Sequence, residues 1–548
     1  MNKTIIYIAL IYIAIVLLIG KTALAAQSQQ QPASQSATTQ QPKADTKPFE
    51  FQPIILEGRD ELSIQSGIKL FPDSPNPLSA RQLDSLNPLE KQQSLLLPSK
   101  PLPRKYFSFH PANAYLKGEF GQFITASLDA GYSFELEGYR MAIGAGFETS
   151  QGQSDNTEYW KAFVTAASDY IAPEKFFIFG GSRTHLNLDI NLRNYNIIDS
   201  SNATQRQSSL IGFKVKSDGR FEGVNFSTGA HIDFFGFDAP QSHSMQGFGG
   251  FIKAAGNYEK YVIGAIVKAD FQSSNKAQLA SLFSGRALAE YKQDKLDAQG
   301  FAGFAVATNS EGAGRGSLEL GAIANYLLNQ SFTLNAGLSN VVAGGNYLSQ
   351  TMQNPYLQKP YVDYGNNLSL TIGAQYHPTA EFRTMFYIGY TFSDRAPFFE
   401  SDSSGNGLFD VCYAKTNKIE VKAEAKYDLT NNDILTGSAT LLSHTFADGG
   451  NTVPYSPLFQ IAIDYDKKFS EAFGMQIGVN FIGERYDDSK NIKKIDAQPI
   501  INLKGIYNIN KDLSFFARIE NLLNSDVMVW YGYKERGLFL SAGAFIRL

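Results

Sequence analysis

From about residue 105 to the end of the chain, apolar and polar positions alternate with a period of two. Phe473, Met475, Ile477, Val479 and Phe481 alternate with Gly474, Gln476, Gly478 and Asn480. Tyr455, Phe459, Ile461, Ile463 and Tyr465 alternate with Ser456, Gln460, Ala462 and Asp464. Leu186, Leu188, Ile190 and Leu192 alternate with His185, Asn187, Asp189, Asn191 and Arg193. Successive side chains of a strand point to opposite faces, so each segment predicts a strand with one apolar and one wet face.

A soluble sandwich alternates too, and three further features point elsewhere. The wet faces are heavily charged: Lys418, Glu420, Lys422, Glu424 and Lys426 form a row of alternating sign behind Ile419, Val421, Ala423, Ala425 and Tyr427. A water-filled lumen tolerates such a row, and neighbouring opposite charges offset one another. Connections also alternate between tight polar turns (428–433, 467–471, 508–512) and long stretches (342–366, 394–415, 446–454, 485–497). Outer-membrane barrels show this rhythm of short periplasmic turns and long outer loops. Finally, Leu538, Leu540, Ala542, Ala544, Ile546 and Leu548 share one strand face up to the last residue. A barrel needs such a strand to pair with its first and remove the open edge. The expected fold is therefore all-β: a transmembrane antiparallel barrel over 105–548.

At about 20 residues per strand, turn and loop included, that region holds about 22 strands, with 20 as the lower count. Residues 273–299 are the ambiguous place, where Ala287 to Lys292 reads as an extra strand.

The N-terminus predicts export. Lys3 precedes an almost unbroken apolar run from Ile5 to Ile19, then Ala23-Leu24-Ala25, a small-x-small cleavage pattern. Residues 1–25 read as a signal peptide. Residues 26–48 are rich in Gln, Ser, Thr, Ala and Pro and read as a disordered linker. Residues 49–104 sustain neither period and are expected to be a short, mostly irregular extension, periplasmic or lumen-filling.

Composition adds constraints. The chain has 548 residues, net charge -4, 41 Phe, 28 Tyr and 2 Trp. Its mean hydropathy is -0.20. Nothing is basic enough to indicate nucleic acid as a partner, and the abundant Phe and Tyr suit the aromatic girdles of a barrel. The single cysteine, Cys412, cannot form an internal disulfide. His110, His185, His231, His243, His377 and His444 are scattered without ligand spacing, so no metal site is expected. No nucleophile elbow, zincin motif or phosphate loop appears, so neither catalytic residues nor a cofactor are expected.

The stretch from Pro454 resembles the barrel of TonB-dependent receptors. The likeness rests on Val453-Pro454-Tyr455-Ser456-Pro457-Leu458-Phe459, on Phe516 to Asn524 with its Glu520-Asn521-Leu522-Leu523-Asn524, and on Tyr531-Gly532-Tyr533 before the last strand. Asn354-Pro355-Tyr356-Leu357 also resembles a receptor loop. Lys534-Glu535-Arg536-Gly537 stands where the family has Pro-Gly-Arg, and the last residue is Leu rather than Phe. Residues 27–104 are shorter than the family's plug, and no TonB box is recognised there. The family-like positions are Glu520, Asn521, Leu522, Asn524, Gly532 and Tyr533.

The resemblance implies the outer membrane of a Gram-negative-type bacterium, contact with its lipid, and solute passage through a gated polar lumen. Arg183, His185, Asp189, Arg193, Lys418, Glu420, Lys422, Glu424, Lys426, Arg518 and Glu520 are the expected charged lumen residues. Their near-balance of sign argues against strong anion selectivity. The loop 394–415, with Asp394, Phe398, Phe399, Glu400, Asp402 and Asp410, reads as solvated, with cation or ligand binding as the alternative. The rival function is a plugless scaffold anchoring a periplasmic or surface partner. An outer-membrane hydrolase would need a catalytic constellation that the sequence does not present.

Overall fold

The computed structural model describes residues 114–548, except 137, 175–179, 199–202, 294 and 403–405. The expected signal peptide, linker and 49–104 extension lie outside the described residues, as does His110.

The alternating segments fold into 22 strands. The first eight are β1 Ala114–Gly121, β2 Thr125–Leu136, β3 Tyr139–Ser150, β4 Tyr159–Ile171, β5 Arg183–Ile198, β6 Ala203–Phe221, β7 Val224–Phe237 and β8 His243–Tyr258. Then come β9 Tyr261–Ser274, β10 Ala277–Gln293, β11 Leu296–Thr308, β12 Gly314–Asn329, β13 Phe332–Gly344, β14 Tyr364–Tyr376 and β15 Phe382–Ser401. The last are β16 Phe409–Thr430, β17 Asp433–Phe446, β18 Phe459–Lys468, β19 Phe473–Ile482, β20 Gln498–Asn508, β21 Leu513–Glu520 and β22 Phe539–Arg547. The one helix among the described residues, α1, spans Tyr347–Gln353.

Each strand pairs antiparallel with the next, and β22 pairs with β1 from Tyr115↔Arg547 to Gly121↔Ser541. The sheet is therefore a closed cylinder without a free edge, the condition under which strands cross a membrane. Its faces differ as the alternation requires. On β12, Leu318 is 66% exposed, Glu319 0% and Leu320 52%. Ile252, Val267, Leu338 and Ile372 are likewise exposed apolar residues. That outward apolar surface suits lipid, and a one-residue slip would turn it inward.

Two readings of the sequence change. Ala287 to Lys292 is no extra strand: it continues β10 and pairs with both β9 and β11. Most of 394–415 is not loop, because β15 runs on to Ser401 and β16 starts at Phe409. The pair is interrupted by a register shift between Ser393 and Ala396, an irregularity that breaks the simple alternation there.

One end of the cylinder holds the start of β1 and the end of β22. Most connections there are two-residue turns, such as 222–223, 259–260 and 431–432, although 172–182 is longer. The long connections 345–363, 447–458, 483–497 and 521–538 all lie at the other end.

Candidate functional site

The face opposite the exposed apolar rows is built from ion pairs. Side chains two apart on one strand share a face, so sign alternation lets them pair along it. Lys418 meets Glu420 at 2.9 Å, Lys422 meets Glu424 at 2.5 Å and Lys426 meets Asp428 at 3.3 Å. Arg183 donates to Asp169 at 3.1 Å, and His185 pairs with the same carboxylate. Asp189 and Arg193 are half-buried on β5, with Arg193 opposite Lys161 and Ser208.

The seam where the cylinder closes carries the densest of these networks. Arg518 on β21 pairs with Glu119 on β1, reaching across β22, and also meets Glu520 at 3.4 Å. Glu119 is 3.6 Å from Lys117, and Glu520 is 3.6 Å from Arg536. The intervening positions on β22 are Ser541, opposite Arg518, and Gly543, opposite Glu119. A Cβ on Gly543 would lie 2.3 Å from the Gly118 carbonyl oxygen and 2.4 Å from the Phe516 ring. Glycine there lets Phe516 lie over the closing strand, with Lys117 and Lys504 each 5.3 Å from its ring.

The long-loop end holds a second structure that alternation could not foretell. A single hydrophobic core there contains Tyr195, Ile197, Tyr356, Leu357, Phe399, Leu408, Phe409, Tyr455, Ile495, Trp530 and Tyr533. These residues come from β5, from the end of β15, from the start of β16, and from five different inter-strand connections. Tyr356 stacks on Tyr533 with ring centroids 3.6 Å apart and meets Tyr195 edge-on. Trp530 lies between Phe399, Phe409 and Tyr455. The β5 and β16 strands stand half-way round the ring from one another. Loops that join them in one core must therefore span the opening, and we call this assembly the cap.

Polar contacts fix the cap. Tyr533 donates to the Gly407 carbonyl at 2.5 Å and accepts from the Ile198 amide at 3.4 Å. Tyr455 and Ser401 both donate to the fully buried Asp487. Asp488 accepts the amides of Lys490, Ile492 and Lys493, which holds its carboxyl below the usual range although burial opposes this. Arg485 donates to the Met528 carbonyl, tying the 483–497 connection to the last one. Burial pushes the half-buried Glu535 up to about 8; Glu520 adds to the rise, while Arg536 and Arg485 oppose it.

The family-like motif builds this last loop. Asn521 and Asn524 adopt left-handed φ of 47° and 50°. The Asn521 side chain donates to the Ser525 and Arg536 carbonyls and accepts the Ser525 amide, closing the base of the loop. Leu522 is exposed on the rim. Gly532, at φ 85°, forms the turn that pairs Met528–Trp530 with Tyr533–Lys534 and delivers Tyr533 to the cap. Tyr455, read from sequence as a strand residue, lies ahead of β18 with φ 57° and belongs to the cap. Arg206, Tyr195 and Trp530 were not anticipated, since their partners are far away in sequence. Asn354-Pro355-Tyr356-Leu357 was recognised only as a loop.

Among the described residues no group of three or more metal-binding side chains occurs. Cys412 is free.

These features define a large closed antiparallel barrel with capped long loops. Its fold is that of the TonB-dependent receptor barrels. The siderophore receptor PirA from Acinetobacter baumannii superposes with a TM-score of 0.61 at 9% identity, over 79% of this chain and 80% of that one. The FrpB iron transporter from Neisseria meningitidis gives 0.63 at 8% identity, over 79% and 81%. The copper transporter OprC gives 0.60 at 10% identity, over 79% and 80%. The matched structures are receptors and transporters. No protein-family model matches the sequence, and no curated protein matches it.

Proposed function

We propose that this chain is an outer-membrane barrel that passes a solute along a polar bore, with the cap closing the long-loop, outward end. The observation that carries this reading is the aromatic core joining loops from opposite sides of the ring. The charged residues of the inner-pointing rows, Arg183, His185, Asp189, Arg193, Lys418 to Lys426, Arg518 and Glu520, would line the bore. The similar receptors and transporters handle siderophores, iron and copper, which favours a solute as ligand. Residues 49–104 are proposed to enter the bore from the opposite, periplasmic end.

Planar-bilayer recordings test this with a cap-open variant. Its 346–362 and 525–536 segments are replaced by short Gly-Ser turns. A stable conductance, absent from the parent, is expected. A silent variant that still migrates as a folded barrel overturns the conduit reading. Deleting 49–104 from the cap-open variant should raise the conductance further, and an unchanged value removes that segment from the bore.

The tightness of the cap also suits a second reading, a scaffold that never opens. Stoichiometric capture of a periplasmic partner by residues 26–104, together with a silent cap-open variant, would favour it.

A further inference from the structure

The connection 345–363 leaves β13 and returns at the adjacent β14, yet its middle reaches Arg206 on β6, seven strands away round the ring. Asn346 caps α1 by accepting the Ser349 amide, while the Ser349 hydroxyl accepts the Asn346 amide in return. Tyr347 then packs with Phe237, Met245, Leu282, Val362 and Tyr364. This root is apolar, and it is pinned again where the Val362 carbonyl accepts the Ser310 amide at 3.0 Å.

The tip buries Tyr356 and Leu357 in the cap core and is held by polar bonds as well. The short strand Leu357–Lys359 pairs parallel with the start of β16. On the far side, Pro355 and Leu357 meet Arg206 of β6. Arg206 is fully buried and donates to three carbonyls: Ala239 at 2.5 Å, Pro355 at 2.7 Å and Leu357 at 2.9 Å. Its guanidinium lies 4.2 Å from the Phe237 ring. Tyr195 donates to the same Pro355 carbonyl at 2.8 Å.

Arg206 makes no ion pair among the described residues, and its Nη2 has no hydrogen-bond partner. Arg286 is the contrast: it is fixed by two bonds to Glu319, at 2.7 and 2.9 Å. A buried cation whose hydrogen bonds go to peptide carbonyls rather than to a carboxylate can exchange them for water as the tip lifts. A carboxylate pair would not exchange so readily.

We infer that 345–363 is a strap rooted on one wall of the bore, and that Arg206 is the latch holding its tip across the opening. Opening breaks the bonds from Arg206 and Tyr195 to the strap, unpairs Leu357–Lys359 from β16, lifts Tyr356 and Leu357 out of the cap core, returns the guanidinium to water and leaves the root around Tyr347 in place. This inference rests on the bore reading above.

The test records the full mature chain in planar bilayers as parent, R206M and R206K, with the cap-open variant in parallel. Heat-modified mobility on gels checks that each barrel is folded. R206M should raise the open fraction about tenfold, equivalent to ~1.4 kcal/mol. R206K, which keeps the charge but not the fork of donors, should fall between parent and R206M. Tyr195→Phe, which removes one bond to Pro355, should give a smaller rise. If R206M fails to fold, R206K and Tyr195→Phe carry the test. A conducting cap-open variant beside arginine variants as closed as the parent overturns the latch alone. A silent cap-open variant overturns the bore reading instead.

Discussion

Replacing Arg518 by Met should loosen the closure of the cylinder. Arg518 joins Glu119 on β1 to Glu520 on β21, and the side chains of all three are about nine-tenths buried. The substitution leaves two carboxylates in a poorly hydrated site. Breaking a buried pair by removing one partner costs ~3–5 kcal/mol. Here Lys117 and Arg536, each 3.6 Å from one of the carboxylates, offset part of the loss. The expected destabilisation is therefore ~2–4 kcal/mol. Neutralising Glu119 in the same molecule removes one stranded charge, so R518M with E119Q should recover ~1–2 kcal/mol of the sum of the single losses. Urea unfolding in detergent micelles measures this through the fluorescence of Trp160 and Trp530, the only tryptophans in the chain. Single losses that add within ~0.5 kcal/mol would refute the idea that the network acts as a unit across the seam.

On the outward apolar face, Leu320→Arg should cost ~2–4 kcal/mol of barrel stability in bilayers, the range for a charge on a lipid-facing position near the midplane; a neutral effect would mean that this face does not meet lipid. In the cap, Tyr533→Ala removes the stack on Tyr356 and two hydrogen bonds, and limited proteolysis should then cut the long loops while the barrel stays intact. Glu535 titrates upward in the folded state, so the cap binds its proton more tightly than the unfolded chain does. Its favourable contribution is complete below about pH 4.5 and fades as pH rises through about 8. Protease cutting of 521–538 should thus increase from pH 5 to pH 8, and E535Q should flatten that profile. If the charged rows line the bore, charge reversal of Lys418 and Lys422 to Glu in the cap-open variant should shift the reversal potential toward cation selectivity, and an unchanged potential would place them off the path.

The sequence by itself determined the cylinder. Period-two alternation is local: Lys418 to Lys426 and the residues behind them assign their faces without reference to any other strand. The apolar row from Leu538 to Leu548 likewise implied that β22 must find a partner, and length fixed the strand number to within a pair. Only the tertiary structure decided what stands over the opening. Tyr195 meets the Pro355 carbonyl from 160 positions away, and Tyr533 meets the Ile198 amide from 335. Neither contact leaves a local period, and both depend on the closed ring, which brings β5 and the loops near β16 and β22 to one end. For the same reason the register shift after Ser393 hid the continuation of β15 and β16, and Tyr455 seemed part of a strand until the chain around it was seen to fold over the mouth.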